Sequence, residues 1–310
     1  MTLLSRLRKL IWTLRDGSQR LQRIQEALGR IERRQIALTP TTNFSEAEFR
    51  VFSQWGEDGL IQYLTARVPM PNKVFVEFGV ENYIESNTRY LAINDCWSGL
   101  VMDGSAENID FIQHDPISWA CDVKSVCAFI TRENINELLE LNGIQGDIGL
   151  LSVDIDGNDY WVWEAIQRVS PRIVICEYNS LFGPVARVTV PYDPAFIRDK
   201  AHHSKVYYGA SIAALETLGR SKGYTLVGGN SAGNNVFFVR NDLMDAFRPV
   251  SACEAYRQAR FREFHDEYGH LTCDNFESQL AKIDDLVVFD IDHQISVKIG
   301  DLPRSGSANV

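Results

Sequence analysis

Five short apolar runs, each followed by an acidic residue, are the feature that most limits the folds open to this chain. The runs are continuous rather than alternating, which is typical of strands that helices cover on both faces. Segments long enough for crossover helices separate them, at 85–96, 106–114, 132–142 and 159–168. The runs and their acidic ends are Val74–Val76 with Glu77, Ser98–Met102 with Asp103, Trp119–Cys121 with Asp122, Ile148–Val153 with Asp154, and Arg172–Cys176 with Glu177. The pattern predicts an α/β fold, a doubly wound and mostly parallel sheet that binds a ligand at the carboxyl ends of its strands.

Changes in composition divide the chain into three predicted parts. These are a basic amphipathic or coiled-coil helix over 1–40, an α/β domain over 44–245, and a helical and short-strand appendage with a flexible tail over 246–310. Within the α/β domain, the proline-containing segment 178–206 is longer than an ordinary connection and is typical of a functional loop. Two further strands, near 224–227 and 236–239, are joined too closely for a crossover and are predicted to close the sheet as an antiparallel pair.

Leucine and isoleucine recur with heptad spacing in the first forty residues. One position of the repeat holds Leu7, Leu14, Leu21 and Leu28, and the complementary position holds Leu3, Leu10, Ile24, Ile31 and Leu38, with Gly17 as the one gap. This a/d pattern has three interpretations: pairing with a second copy, binding to a membrane surface through residues 1–16, or packing on the rest of the chain. We expect a homo-oligomer formed through this helix, with peripheral membrane contact as the alternative.

Charge is divided unevenly along the chain. The 310 residues contain 31 Lys and Arg against 41 Asp and Glu, a net charge of −10. Residues 1–40 hold nine basic and three acidic side chains, a net charge of +6, so the other 270 residues carry −16. Because an acidic surface repels phosphate backbones, we expect no nucleic-acid partner for the body of the protein.

The six cysteines and the hydropathy of the chain bear on its cellular compartment. The cysteines are dispersed and form no C-x-x-C pair, which favours reduced thiols over disulfides or a structural zinc site. No stretch approaches the roughly 18 consecutive apolar residues of a transmembrane helix, and basic residues interrupt the N-terminal apolar residues before a signal-peptide core forms. The sequence therefore predicts a cytoplasmic protein, with membrane association left open.

Four motifs carry a resemblance to a known family. They are Ser53–Asp58 ahead of the first strand, Glu77–Gly79 after it, Asp103 after the second strand, and Val153–Asp159 at the fourth. Together with the order of strands they resemble class I S-adenosylmethionine-dependent methyltransferases, which have a Rossmann-like fold, and more narrowly the FkbM-like family, many of whose members modify sugars and surface glycans. The resemblance covers residues 52 to about 240. It implies an S-adenosylmethionine-dependent O-methyltransferase with a sugar or glycan-related acceptor.

The resemblance also implies a cofactor site. Its residues are Gln54, Glu57, Glu77, Gly79, Asn82, Asn87, Asp103, Gly104, Ser105, Asp122 and Asp154. Asp103 is placed to accept both ribose hydroxyl hydrogens, and a helix N-cap is its alternative role. Asp122 is predicted to accept from the adenine amino group, with a solvated turn as the alternative. Glu57 either helps to cover the amino-acid end of the cofactor or favours a helix N-terminus.

Methyl transfer to a hydroxyl needs a group that takes up the proton. The candidate catalytic residues are Asp154, Glu177 and His202, the last of which has a solvated loop as its alternative. Asp154, Glu177 and Asn179 form a candidate oxygen-ligand set for Mg²⁺. Two other functions stay open: a metal-dependent glycosyltransferase that uses Asp154 and Asp156 as a D-x-D motif, and a non-catalytic scaffold.

Overall fold

The computed structural model describes residues 3–38, 44–259 and 264–303. The predicted tail beyond Pro303 and the residues between Leu38 and Phe44 lie outside this range. The strands are β1 Val74–Phe78, β2 Ser98–Asp103, β3 Val123–Cys127, β4 Gly146–Val153, β5 Val169–Glu177, β6 Val188–Thr189, β7 Tyr224–Gly229, β8 Asn235–Arg240, β9 Phe264–His265, β10 Leu271–Thr272, β11 Val287–Asp290 and β12 Ile295–Lys298.

Helices connect and cover these strands. They are α1 Leu3–Leu38, α2 Glu57–Thr65, α3 Arg89–Asp95, α4 Ala106–His114, α5 Ile117–Ala120, α6 Ile135–Leu141, α7 Asp159–Ala165, α8 Arg198–Ala201, α9 Ile212–Ser221, α10 Ala252–Ala255 and α11 Phe276–Ala281. Single 3-10 turns occur at Phe44–Ala47, Ser180–Phe182, Asn241–Ala246 and Ile299–Asp301. Within the described ranges, no helix combines the length and apolar character needed to cross a bilayer.

The central sheet has seven strands in the order β3-β2-β1-β4-β5-β8-β7. The first five are parallel, and β8 pairs antiparallel with both β5 and β7. The predicted doubly wound, mostly parallel Rossmann-like sheet with a closing antiparallel pair is therefore confirmed. Strand addition reverses direction between β1 and β4, which opens a crevice at the carboxyl ends of those two strands.

Successive residues of β5 explain how one strand supports two cores. Ile173 and Ile175 pack in the layer that contains α2, whereas Val174 and Cys176 pack in the layer that contains α7 and α9. All four side chains are buried. Because neighbouring side chains of a strand point to opposite faces, a continuous apolar run is what a strand between two helical layers requires.

The predicted third strand is the one central strand whose position was wrong. Residues 117–120 form the short helix α5, on which Trp119 is 81% exposed, and β3 begins only at Val123. β3 is the edge of the sheet and buries neither face completely. An edge strand therefore lacks the continuous apolar run that marked the other four parallel strands.

The C-terminal appendage packs on the long segment that follows β5. β11 pairs antiparallel with β6, which lies inside that segment, and β12 extends the same small sheet. Their apolar side chains share one cluster, in which Val188 and Val206 of the segment meet Phe264, Val288 and Ile299 of the appendage. The segment is thus built into a second small core.

The N-terminal segment is a single helix that lies on the body. Gly29 is buried, and a Cβ atom at this position would come within 2.4 Å of Val51 Cγ2. Gln25 Nε2 donates to the carbonyl oxygen of Val51 at 2.5 Å, and Arg33 Nη1 lies 2.7 Å from Asp95 Oδ1. The side chains of Leu3, Leu7, Leu10 and Leu14 fall outside what the structure describes. Packing on the body therefore occurs, through residues other than the heptad leucines.

Candidate functional site at the carboxyl edge of the sheet

A cavity of about 810 Å³ opens at the carboxyl ends of β1, β4 and β5. Its wall is assembled from the loop before α2, these strand ends, the segment around α8 and the β7–β8 turn. A smaller cavity of about 170 Å³ adjoins it at the end of β2 and shares Gly79, Phe129 and Asp156 with it. The position matches the crevice that the strand order predicts.

Glu77 links the end of β1 to the segment that begins α3. Its Oε1 accepts from the backbone N–H of Asn87 at 2.8 Å, and its Oε2 accepts from the backbone N–H and the hydroxyl of Thr88 at 3.0 and 2.5 Å. Asn87 Nδ2 in turn donates to Ser152 Oγ of β4. Burial raises the pKa of Glu77 to about 7, although these hydrogen bonds act in the opposite direction. Glu77 and Asn87, both predicted site residues, line the larger cavity.

Gly79 is required by backbone geometry. Its φ of +66° lies in the left-handed region, and a Cβ atom would come within 1.7 Å of the carbonyl oxygen of Asp154. This glycine therefore lets the turns after β1 and β4 approach each other. The resemblance placed Gly79 in the cofactor site, and the atom that it accommodates here is a carbonyl oxygen of the chain itself.

Asp103 at the end of β2 holds the start of α4 and the turn after β1. Its Oδ1 accepts from the backbone N–H of Ser105 at 2.8 Å and from Asn108 Nδ2 at 3.0 Å, which supports the start of α4. Its Oδ2 accepts from the backbone N–H of Glu81 at 2.9 Å. A carboxylate offers about four acceptor positions, so Oδ2 keeps one for a further donor. Asp103 lines the smaller cavity, so this remaining acceptor position is available beside it.

The two acidic residues at the start of α2 have different roles. Glu57 lines the cavity, and its Oε1 accepts from Asn230 Nδ2 at 2.6 Å and from Asn235 Nδ2 at 3.0 Å. Asp58 lies behind it and accepts from three successive backbone N–H groups that begin at Val51, so it shapes the preceding loop. Burial raises the pKa of Asp58 to about 6. The β7–β8 turn therefore reaches the cavity.

Three carboxylates converge at the ends of β4 and β5. One oxygen from each of Asp154, Asp156 and Glu177 lies within 4.8 Å of the others. Burial and the charges of Asp156 and Asp159 raise the pKa of Asp154, and burial together with Asp154 raises that of Glu177. Glu177 Oε2 is buried with no hydrogen-bond partner in the described part of the chain, and the residue lines the cavity. Glu177 therefore contributes a buried oxygen without a described partner to the wall of the cavity.

Arg198 of α8 carries the positive charge nearest to this cluster. Its Nη1 lies 2.5 Å from Asp156 Oδ1, its Nε donates to the carbonyl oxygen of Lys205 at 2.6 Å, and its guanidinium lies 4.1 Å from the centre of the Tyr208 ring. Burial acts to lower the pKa of Arg198, but Tyr208 and Asp156 outweigh it and raise the pKa. The long segment after β5 therefore contributes a fixed cation to the site.

Several predicted site residues are not brought to the larger cavity. Asp122 is exposed and precedes β3, because the strand begins later than predicted; it therefore lies at the opposite edge of the sheet from the cavity. His202 Nδ1 lies 2.7 Å from Ser204 Oγ, and the residue is absent from the described lining. Burial and His203 lower the pKa of His202. Neither residue therefore lies on the described wall of the larger cavity.

Three other predicted residues support the backbone. Asn179 Nδ2 donates to the carbonyl oxygens of Val206 and Tyr208, and its Oδ1 accepts from the backbone N–H of Leu181. Asn82 Oδ1 accepts from the backbone N–H of Ile84, and Ser105 caps α4 by accepting from Asn108. Gln54 lines the larger cavity and Gly104 the smaller one.

Two aromatic residues were missed by sequence reasoning. Phe129 and Phe196 line both cavities. Phe129 follows the true end of β3, so the misplaced strand concealed it. Phe196 precedes α8, and a Cβ atom at Gly157 would come within 2.2 Å of its ring, so the glycine after Asp156 admits this ring. In the sequence, Gly157 indicates only that some group approaches the chain closely after Asp156, and it does not identify Phe196 as that group.

Comparisons with known proteins give weak structural matches. No family model and no curated protein matches the chain. The N-terminal domain of EvdMO1, solved with SAH bound, is 14% identical with a TM-score of 0.41, over 68% of this chain and 95% of that one. M. capricolum TrmK in complex with S-adenosyl-homocysteine is 10% identical with a TM-score of 0.34, over 56% and 64%. The O-methyltransferase from Bacillus cereus in complex with SAH is 12% identical with a TM-score of 0.34, over 54% and 74%. Values this low assign no activity to the chain.

Proposed function

We propose that this protein is an S-adenosylmethionine-dependent O-methyltransferase of the FkbM-like type that acts on a sugar or glycan-related acceptor. The observation that carries the proposal is the polar cavity at the switch point between β1 and β4, with Asp103 at the end of β2 and carboxylates at the ends of β4 and β5. In open α/β sheets this is where nucleotide-like ligands bind.

The residues around the two cavities fit the proposed cofactor in parts. Asp103 retains one acceptor position beside the smaller cavity, which suits a ribose hydroxyl. Phe129 borders the same cavity and offers an apolar face for a purine ring. When bound, the cofactor supplies an electrophilic methyl group on a sulfonium. The chain then has to orient an acceptor hydroxyl and take its proton.

We assign the proton-accepting role to Glu177, with Asp154 beside it. Glu177 Oε2 is buried, lines the cavity and has no partner among the described residues. Its raised pKa makes the ionised form a stronger base than an exposed carboxylate. Arg198, which is paired with Asp156, lies close enough to Glu177 to lower its pKa, against the opposite effects of burial and of Asp154.

The character of the cavity supports a hydroxyl-rich acceptor. Glu85, Asp199 and Lys205 also line it and provide donors and acceptors for hydroxyl groups. The experiment is transfer of radiolabelled methyl from S-adenosylmethionine to a panel of sugars and nucleotide sugars. We expect base-stable labelled product with at least one sugar, because an ether survives hydrolysis that removes a methyl ester.

Asp103 provides the test of cofactor binding. We expect Asp103→Ala to weaken S-adenosyl-homocysteine binding at least tenfold, measured by isothermal titration calorimetry, because the ribose hydroxyl loses a charged acceptor. Asp110→Ala, at an exposed position of the adjacent helix α4, is the matched control and should bind normally. Since Asp103 also supports the start of α4, circular dichroism must show that the variant is folded. Equal affinity of a folded Asp103→Ala protein would sink the ribose assignment.

We further propose that the carboxylate cluster binds a divalent cation, with Asp156 in the place predicted for Asn179. One oxygen from each member lies within reach of a shared ion, and the unpartnered Glu177 oxygen is a free ligand. Calorimetric titration with Mg²⁺ or Mn²⁺ should show one site that Glu177→Gln abolishes. The control is Glu85→Gln, which changes a cavity-lining carboxylate outside the cluster. No binding heat with the unsubstituted protein would reject the metal.

The same cluster favours one alternative function. Asp154 and Asp156 form a D-x-D pair in a cavity, as a metal-dependent glycosyltransferase requires for its nucleotide sugar. A thermal-shift panel separates the two activities: stabilisation by S-adenosyl-homocysteine supports the methyltransferase, whereas stabilisation by a uridine or guanosine diphosphate with Mn²⁺ supports the glycosyltransferase. A protein that responds to neither would fit the scaffold interpretation.

A further inference from the structure

We propose that the exposed face of α1 joins copies of this chain into a parallel coiled coil. This face, called the seam here, consists of Leu21, Ile24, Leu28, Ile31 and Leu38. The inference goes beyond the proposed function, because it concerns assembly and does not depend on which reaction the cavity performs.

The first step is that the body leaves the seam free. The helix rests on the body through Gln25, Gly29 and Arg33. In an α-helix of 3.6 residues per turn, Gly29 and Arg33 project from the side opposite Leu28 and Ile31. Gln25 borders the seam, about 40° around the helix from Leu21, and its side chain extends from there to Val51. The contact with the body is therefore compatible with a second helix on the seam.

The second step is the exposure of the seam itself. The exposed fractions are 68% for Leu21, 56% for Ile24, 56% for Leu28, 47% for Ile31 and 85% for Leu38. Single exposed apolar residues are common, but Leu21, Ile24, Leu28 and Ile31 form a continuous apolar surface, and Leu38 extends it beyond the polar Gln35. Burying it against a matching surface would be favourable by roughly 25 cal/mol for each Å² removed from water.

The apolar face of α1 is narrow, and this width fits another helix better than a membrane surface. In the described region the strictly a/d seam is bordered by Gln25 and Glu32 on one side and by Arg20 and Arg34 on the other. A narrow a/d stripe is the signature of a coiled coil, whereas membrane-surface helices present a broader apolar face. We therefore commit to a second copy as the occupant.

The charges beside the seam favour a parallel orientation of the two helices. In a parallel pair in register, Arg20 at position g faces Gln25 at position e of the other helix, and Ala27 faces Glu32. In a fully overlapped antiparallel pair, Arg20 of one helix would lie opposite Arg20 of the other, and like charges repel. The seam also has Leu at a and Ile at d over 21–31, a combination that favours more than two strands.

The test is the mass of the full-length protein in solution, measured by light scattering after size-exclusion chromatography. We expect a multiple of the 35.1 kDa chain, and the Leu and Ile positions favour four copies. The double variant Leu21→Gln, Leu28→Gln should return to one chain, with its helix content retained by circular dichroism. The matched control Arg23→Gln, Arg30→Gln changes exposed residues of the same helix outside the seam and should keep the assembly.

Two results would overturn the proposal. One is an unsubstituted protein with the mass of a single chain, and the other is a seam variant with unchanged mass. A single-chain protein that sediments with phosphatidylserine vesicles would assign the seam to a membrane surface instead.

Orientation has its own measurement. Gln35 continues the a positions, so copies of Gln35→Cys meet in a parallel coil and should form an interchain disulfide on mild oxidation. Ala37→Cys, exposed and off the seam, is the control, and the unsubstituted chain reports any crosslinking by its own exposed cysteines. Equal crosslinking of the two variants would contradict the parallel arrangement.

Discussion

Glu77 couples the end of β1 to the loop before α3, and its titration should appear in the stability of the whole domain. Burial raises its pKa from 4.5 to about 7. For an acid with a raised folded-state pKa, the stabilising contribution is complete below pH 4.5 and is lost as pH rises through about 7. The shift corresponds to a decrease on the order of 3 kcal/mol in the free energy of unfolding across this pH range.

We therefore expect the free energy of unfolding in urea to fall between pH 5 and pH 8, and to fall less in Glu77→Gln. Asp58 and Asp159, each with a pKa that burial raises to about 6, act in the same direction, so the variant should keep part of the slope. The control is Glu85→Gln, an exposed acid on the same loop. An unchanged slope in Glu77→Gln would show that Glu77 does not titrate in this range.

At the residue scale, the sequence located side chains by their place at strand ends. Glu77, Asp103, Asp154 and Glu177 were predicted at the carboxyl edge and lie there, because the end of a buried strand is visible in an apolar run. The partners of Glu57 were not predictable, since Asn230 is 173 residues away along the chain. Spacing carries no information about a contact of that kind until the topology is known.

At the scale of elements, burial decided which strands were predictable. β1, β2, β4 and β5 each have neighbours on both sides and read as continuous apolar runs. β3 has a neighbour on one side only, and its sequence from Val123 to Cys127 includes the exposed Lys124. The apolar residues around Trp119, which form the helix α5 just before β3, were therefore taken for the strand. An edge strand next to a short amphipathic helix is therefore not identifiable from a continuous apolar run. For this reason Asp122 was placed at the wrong end of β3, and Phe129 beyond its true end was missed.

In the segment after β5, the sequence pattern predicted a functional loop but did not predict the short strand β6. Its length and prolines suggested a loop that covers the site, and its residues Arg198 and Lys205 do line the cavity. What the pattern could not reveal is β6, two residues long, because its pairing partner β11 lies a hundred residues later. This pairing joins the segment to the appendage, and Arg198 of the same segment lies beside Asp156.

At the scale of the whole molecule, the shared core between this segment and the appendage bears on where one folding unit ends. The sequence placed a domain boundary at residues 245 and 246. Residues from both sides of that boundary pack in one apolar cluster, with Val188 and Val206 on one side and Val288 on the other. Because removing contacts from a shared core weakens both contributors, we propose that the appendage and the α/β domain unfold together.

Val288 tests this proposal. It is fully buried on β11, whereas its neighbour Val287 is 43% exposed. We expect Val288→Ala to destabilise the protein by roughly 1 to 3 kcal/mol, because it leaves a cavity in the shared core, and Val287→Ala to change stability by less than about 0.5 kcal/mol. Differential scanning calorimetry should show the main transition itself moving to lower temperature. If only a small separate transition moves while the main one stays in place, the appendage is an independent unit and the boundary at residue 245 stands.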